Sequence, residues 1–170
     1  MKTWLIVLFS VSFTVAGLAQ KPVETTNQFI ISGLVDEPKT ITFSDLEKEK
    51  IVTIAEFKIT NHAGEFRKTY KNIKAVRLLD VWKDVTITAT NPKFLSEYYV
   101  IFKATDGYSV VASWNELFNT EVGNDFYLVV EADGKSQAES AERILLISTK
   151  DFKTGRRHVK SLQSIEVRKI

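Results

Sequence analysis

Short runs of β-branched and aromatic residues, each closed by a turn, follow one another along this chain from residue 28 to residue 170. Such runs predict β-strands. They do not alternate with long helices, so the sequence lacks the βαβ pattern of a parallel sheet. We therefore predict the α+β class, with a sheet-dominated mixed fold and short helices. The predicted strands cover residues 29–35, 40–43, 51–59, 65–73, 98–104, 108–112, 126–130, 143–147 and 164–168.

Three short helices are predicted between these strands. Ser44 with Glu47, and Ser113 with Glu116, have the capping-box spacing that marks the start of a helix. Apolar residues at positions i, i+3, i+4 and i+7 predict a third, amphipathic helix at residues 75–83.

Two hairpins are predicted from their turn residues. Residues 61–64 read as a hairpin loop in which Gly64 takes a positive φ, and residues 106–107 form an Asp-Gly turn. The strand before the second turn, 98–104, is almost continuously apolar. A strand of that kind is typically buried on both faces of its sheet, and we expect this here.

The first residues of the chain resemble a secretory signal peptide. Residues 1–3 form a short cationic segment, and residues 4–15 form an apolar run. Gly17 and Ala19 then stand at the −3 and −1 positions of a cleavage site. The apolar run is shorter than the roughly 20 residues that a membrane-spanning helix needs. We expect residues 1–19 to be removed and the mature chain to be exported, periplasmic or secreted, and soluble. An uncleaved anchor is the alternative.

Charge and cysteine content restrict the partners and the fold. Loss of residues 1–19 removes one lysine, which leaves 22 Lys+Arg against 21 Asp+Glu. This near-neutral balance argues against a nucleic-acid partner, which would require a dense cationic face. The chain has no cysteine, so its stability must come from a hydrophobic core. Residues 28–170 are long enough for one such domain.

Several segments, in their order along the chain, resemble the sulfite-oxidase-type molybdopterin-binding domain, an oxidoreductase family. They lie at the start, the centre and the end of residues 28–170, so the resemblance covers the whole predicted domain. The resemblance implies the family's sheet-rich fold and a pocket for a pterin cofactor. The segments are Gly33-x-Val35-x-x-Pro38 with Leu46, residues 75–81 (AVRLLDV), Asp106-Gly107-Tyr108, Arg143-Ile144-Leu145, and Val159-Lys160 with Ile165-Glu166.

One feature of the family is missing. In its catalytic members a cysteine after the long strand ligates molybdenum, and the corresponding stretch here, residues 58–64, reads KITNHAG. A soft, anionic thiolate suits such a metal, and a threonine or asparagine side chain does not replace it. We therefore expect a protein without molybdenum redox catalysis. Whether it binds a molybdopterin stays open.

The resemblance also implies a set of cofactor-binding residues in three loops that converge on one concave face. His62 lies at the family's metal position, and its ordinary pKa near 6.5 suits a ligand or a base. The basic segment 150–160 (KDFKTGRRHVK) could present guanidinium groups to an anion. The alternative for each loop is a solvated turn or a solvated charged face. The predicted site residues are His62, Asp106, Tyr108, Arg156, Arg157 and Lys160.

Two further polar positions have a structural interpretation. Arg143 begins an apolar strand, so we expect it to be partly buried in an ion pair with an acidic residue. His62 and His158 are the only histidines of the chain and lie far apart in sequence. Two histidines without carboxylates do not make a metal site, and none is predicted.

Three functions remain open at this point. The first is an exported protein of the molybdopterin-binding fold that binds a small anionic or heterocyclic ligand, or a protein partner, without redox catalysis. The second is a molybdopterin-dependent oxidoreductase with unusual metal ligation. The third is an envelope interaction module that pairs with another protein through a sheet edge.

Overall fold

The computed structural model describes residues 24–170. The predicted signal peptide, residues 1–19, lies outside the described residues. The strands are β1 Gln28–Gly33, β2 Lys39–Thr42, β3 Ile51–Thr60, β4 Phe66–Arg77, β5 Tyr98–Ala104, β6 Ser109–Ser113, β7 Phe126–Ala132, β8 Lys135–Ser136, β9 Leu145–Ser148 and β10 Leu162–Lys169. The α-helices are α1 Phe43–Leu46, α2 Leu78–Trp82 and α3 Trp114–Phe118. Short 3-10 turns occupy Pro92–Glu97, Glu121–Asp125, Gln137–Glu139 and Thr154–Arg157.

The first of two sheets has the strand order β2-β1-β10-β5-β6. Its central pair, β1 and β10, is parallel, with Ile31 opposite Ile165, and brings the two ends of the domain together. The other pairs of this sheet are antiparallel. The predicted class, a sheet-dominated α+β fold with short helices, is confirmed.

The second sheet has the order β3-β4-β7, and both β8 and β9 pair with the far edge of β7. In β7 and β9 successive residues are buried on both faces of this sheet. The prediction that strand 98–104 is buried on both faces was wrong. Its residues alternate between buried and half-buried because β5 has the core on one side only.

The main core lies between the two sheets, and α2 and α3 contribute Leu78 and Leu117 to it. Phe102 of β5 and Phe126 of β7 stack across this core, with ring centroids 5.9 Å apart. Such a pair adds about 1 kcal/mol to the stabilisation from burial alone. A smaller buried cluster covers the opposite face of the second sheet and includes Phe57 and Tyr70.

The helix starts differ in part from the predictions. Ser113 caps α3 as expected, and its side-chain oxygen accepts a hydrogen bond from the Glu116 N–H at 3.0 Å. The cap of α1 is Thr42 rather than Ser44, with Asp45 completing the capping box. Thr42 stands directly at the end of β2, so the helix begins as soon as strand pairing stops.

Helix α2 begins three residues later than predicted. Residues 75–77 belong to β4, where Ala75 pairs with Val129 and Val76 with Leu128. Ladder hydrogen bonds to β7 hold these residues extended, although their side chains also fit the helical pattern. Within residues 24–170 the structure contains no helix with the length and apolarity needed to cross a membrane.

Candidate functional site

A concave pocket of about 400 Å³ opens where three loop segments meet. The segments are the β3–β4 hairpin loop, the β5–β6 hairpin and the stretch from the Thr154–Arg157 turn towards β10. Five of the six predicted site residues line this pocket; Arg157 does not. The lining residues are His62, Ala104, Asp106, Tyr108, Gly155, Arg156, His158 and Lys160.

The β3–β4 loop is held by its own asparagine. The Asn61 side-chain oxygen accepts hydrogen bonds from the N–H groups of Ala63 and Glu65, each at 2.9 Å. Gly64 has a φ of +97°, as predicted. His62 is exposed at the tip of this loop, and its backbone carbonyl accepts a hydrogen bond of 3.4 Å from the Arg156 guanidinium.

The β5–β6 hairpin positions a phenol on the pocket wall. Asp106 accepts a hydrogen bond from the Tyr108 N–H at 2.9 Å, which closes the turn. The Tyr108 hydroxyl donates to the Arg156 carbonyl at 2.6 Å. Burial raises the pKa of Tyr108, so the hydroxyl stays protonated and remains a donor. The hairpin therefore ties itself to the backbone of the basic segment.

The basic segment is fixed to the edge of the second sheet. The Thr154 hydroxyl donates to the Lys58 carbonyl at 2.7 Å and accepts from the Thr60 N–H at 2.9 Å. This hydroxyl bridges two backbone groups at the end of β3. Gly155 follows immediately and passes close to the Thr60 carbonyl. The segment that carries Arg156 is thus placed against the β3–β4 loop by backbone contacts.

The two neighbouring arginines have different environments. The Arg157 guanidinium forms ion pairs with Asp151 and Glu116 and lies 5.0 Å above the ring of Phe126. Only 20% of its side chain is exposed. The structure therefore does not bring Arg157 to the pocket, contrary to the prediction that it belongs to the site, because its guanidinium is held by two carboxylates.

Lys160 lines the pocket and also contacts an acidic residue beside it. Its ammonium group pairs with Glu142, which accepts a further hydrogen bond from the Tyr70 hydroxyl at 2.7 Å. Burial alone would raise the pKa of Glu142, but the hydrogen bonds from Lys160 and Tyr70 lower it to about 2. Glu142 is therefore ionised near neutral pH, and its charge is shared between Lys160 and Lys68, whose ammonium group lies 3.2 Å from the second carboxylate oxygen.

His158 is a pocket residue that the sequence did not single out as a binding residue. Its Nε2 atom lies 3.1 Å from the Tyr70 hydroxyl, and the two rings meet edge to face. Burial, together with the nearby Lys160 charge, lowers the pKa of His158 to about 4. His158 is neutral near pH 7. Tyr70 lies in a strand 88 residues away, and no local sequence pattern indicates this pair.

The lowered pKa of His158 predicts a pH-dependent stability. The unfolded chain binds a proton at this position below about pH 6.5, whereas the folded chain does so only near pH 4. Stability should therefore fall as the pH drops from 6.5 to 4.5, by about 2 kcal/mol in the free energy of unfolding. Urea unfolding at several pH values measures this, and H158Q should flatten the slope in this window.

A matched control for this measurement is H62Q, which removes the exposed histidine and should leave the slope unchanged. The window ends at pH 4.5 because Glu142, whose pKa is also lowered, begins to contribute below its ordinary value of 4.5. An H158Q protein with the slope of the parent would contradict a neutral, buried His158.

Arg143 has no acidic partner within the described range 24–170, contrary to the predicted ion pair. Its Nε atom is buried without a hydrogen bond. Its backbone carbonyl instead accepts from the Thr26 hydroxyl at 2.9 Å, which holds the start of the domain against this segment.

At the position that the resemblance assigns to a molybdenum ligand, the donor atoms do not fit that metal. The chain has no cysteine to supply a thiolate. In the stretch 58–64 the Asn61 side-chain oxygen caps its own loop, and His62 is exposed. Among residues 24–170 no three His, Cys, Asp or Glu side chains are grouped to hold a metal ion.

Comparison with known proteins reveals a likeness of fold. No protein-family model and no curated protein sequence matches the chain. Among solved structures, the crystal structure of the sulfane dehydrogenase SoxCD from Paracoccus pantotrophus matches with a TM-score of 0.60 at 15% sequence identity. The match covers 86% of this chain and 40% of that chain. At this identity the likeness shows a distant common fold.

Proposed function

We propose that this protein is an exported domain of the sulfite-oxidase-type fold that binds a small anionic or heterocyclic ligand without molybdenum redox catalysis. The observation that carries the proposal is the convergence of three loops on one pocket with the Arg156 guanidinium at its rim. A pocket that combines a few convergent polar groups in a concave site is typical of small-ligand binding.

Arg156 is the group we assign to an anion. Among residues 24–170 no carboxylate lies within ion-pair distance of its guanidinium, which contacts the His62 carbonyl. A guanidinium offers a planar fork of donors that matches an oxyanion or carboxylate. The Tyr108 hydroxyl holds the backbone of Arg156, so the cation is presented from a fixed position.

The family assignment rests on two independent supports. One is the order of the sequence segments from Gly33 to Glu166. The other is the distant likeness of fold to a sulfane dehydrogenase. The absence of a thiolate, with no grouped metal ligands among residues 24–170, disfavours the alternative of a molybdopterin-dependent oxidoreductase. A pterin without its metal remains within the proposed ligand class.

Export is part of the proposal. It depends on the cationic start, the apolar run and the small residues before position 20. We propose cleavage after Ala19 and a mature domain that spans residues 28–170 in the periplasm or outside the cell.

A protein partner is the second candidate, and one exposed side chain favours it. Phe152 is fully exposed, between the charged residues Asp151 and Lys153. Aromatic residues such as phenylalanine are enriched in the cores of protein interfaces, where a partner covers their apolar area. This surface lies in the same basic segment as the pocket residue Arg156.

A native mass spectrum of the protein purified from its own envelope tests these proposals together. We expect a polypeptide that begins at Gln20 and carries a small molecule of defined mass that dissociates on activation. A spectrum with a bound protein instead would favour the partner function. Stoichiometric molybdenum by metal analysis would overturn the proposal and would favour the alternative of a molybdopterin-dependent oxidoreductase. A bare polypeptide at all conditions would contradict ligand binding.

A further inference from the structure

We propose that the pocket selects a small monoanion that also carries an N–H or O–H donor beside its charged group. This inference rests on the proposed function, because it names the class of ligand for the same pocket. It follows from the balance of charge among the lining residues and from the number of hydrogen-bond acceptors they present.

The charges of the lining favour a single negative charge on the ligand. Arg156 is a cation without a carboxylate partner among residues 24–170, whereas Lys160 pairs with Glu142, a carboxylate that it shares with Lys68. Asp106 adds a carboxylate to the lining itself. Arg156, Lys160, Lys68, Glu142 and Asp106 together carry one net positive charge, so a monoanion is a better match than a dianion.

The hydrogen bond between Tyr70 and Glu142 fixes the proton of His158. A tyrosine hydroxyl has one proton, and Tyr70 donates it to the ionised Glu142 at 2.7 Å. The Tyr70 oxygen can then only accept from His158, so the imidazole proton resides on Nε2, 3.1 Å away. The ring is neutral, and its Nδ1 atom is left as an acceptor.

Acceptors in the lining require donors on the ligand. Two of the lining residues carry acceptors: His158 has the lone pair of Nδ1, and Asp106 has its carboxylate oxygens. An anion without hydrogens, such as sulfate, turns its own lone pairs towards these acceptors, whereas an anion with an O–H or N–H group forms a hydrogen bond. A site built with acceptors for a ligand hydroxyl rejects the analogue that lacks it.

Two matched pairs of probes test the inference by titration calorimetry at pH 7. Inorganic phosphate and sulfate are both tetrahedral, but only phosphate carries protons. Glycolate and acetate have the same charge and differ by a hydroxyl group. We expect phosphate to bind at least about tenfold more tightly than sulfate, and glycolate at least about tenfold more tightly than acetate.

Variants separate the acceptor from the cation. H158L should remove the preference within each pair, and H158N, which places an amide near the position of Nδ1, should restore part of it. Y70F keeps the aromatic ring of residue 70 but removes the hydroxyl that holds the His158 proton on Nε2. It should therefore weaken the preference for the probe that carries a donor. R156Q should lower the affinity for all four probes about equally. The remote charge change R168Q should leave all four affinities unchanged.

The ring nitrogen of His158 that carries the proton can be identified directly. A long-range ¹H–¹⁵N correlation spectrum reports which ring nitrogen of His158 is protonated, with H62Q used for assignment. A proton on Nδ1 would overturn the inference even if no variant folds. Equal affinities within both pairs, with all probes weakened by R156Q, would also overturn it but leave the proposed function standing. No binding of any probe would overturn the inference and the anion-binding part of that function.

Discussion

Alanine at position 155 is expected to lower the free energy of unfolding by about 3 kcal/mol and to disrupt the pocket. A Cβ atom on Gly155 would lie 1.9 Å from the Thr60 carbonyl oxygen, which is backbone and cannot rotate away. The turn must then move off β3, and the bonds of Thr154 to Lys58 and Thr60 are stretched or lost. Urea unfolding measures the stability, and hydrogen exchange of residues 154–160 measures the displacement.

A matched control is G107A, in the hairpin on the other side of the pocket. Gly107 has a φ of +89°, and a Cβ there meets no atom within 4 Å. The substitution therefore adds backbone strain alone, about 1 kcal/mol. If G155A and G107A destabilise the protein equally, or if exchange near residue 155 is unchanged, the close approach does not position the site.

Alanine at position 157 is expected to lower the free energy of unfolding by about 2–3 kcal/mol. Removal of the guanidinium leaves two carboxylates without their partner, and the Asp151 side chain is only 10% exposed. Breaking a buried ion pair on one side costs more than the pair contributes, because the remaining charge stays desolvated. The variant also loses the cation above the Phe126 ring. Thermal and urea unfolding report the loss.

R157K tests the geometry of this pair, since lysine keeps the charge but not the planar fork. We expect it to recover about half of the lost stability. Neither variant should change the affinity of the folded fraction for phosphate, because Arg157 does not line the pocket. A loss of affinity at unchanged stability would assign Arg157 to the ligand after all, as the sequence suggested.

The sequence determined the class of the fold and the location of the three loops. Composition identifies strands such as β5, because β-branched and aromatic residues suit the extended backbone. The loop Asn61–Gly64 and the turn Asp106–Gly107 carry their own turn chemistry, so both were recognisable locally. Helix α2 was predicted to start three residues too early, because pairing with both β3 and β7 holds Ala75 extended and no local pattern reports that pairing.

Only the tertiary structure decided which residues form the pocket. Arg156 and Arg157 are adjacent and chemically identical, yet one faces the pocket and the other is held by Asp151 and Glu116. His158 becomes a neutral acceptor because the fold places Tyr70 and its acidic partner beside it, from positions far apart in the chain. Sequence patterns report local backbone preference and burial. Contacts between distant side chains, which set charge and protonation here, depend on how the two sheets pack.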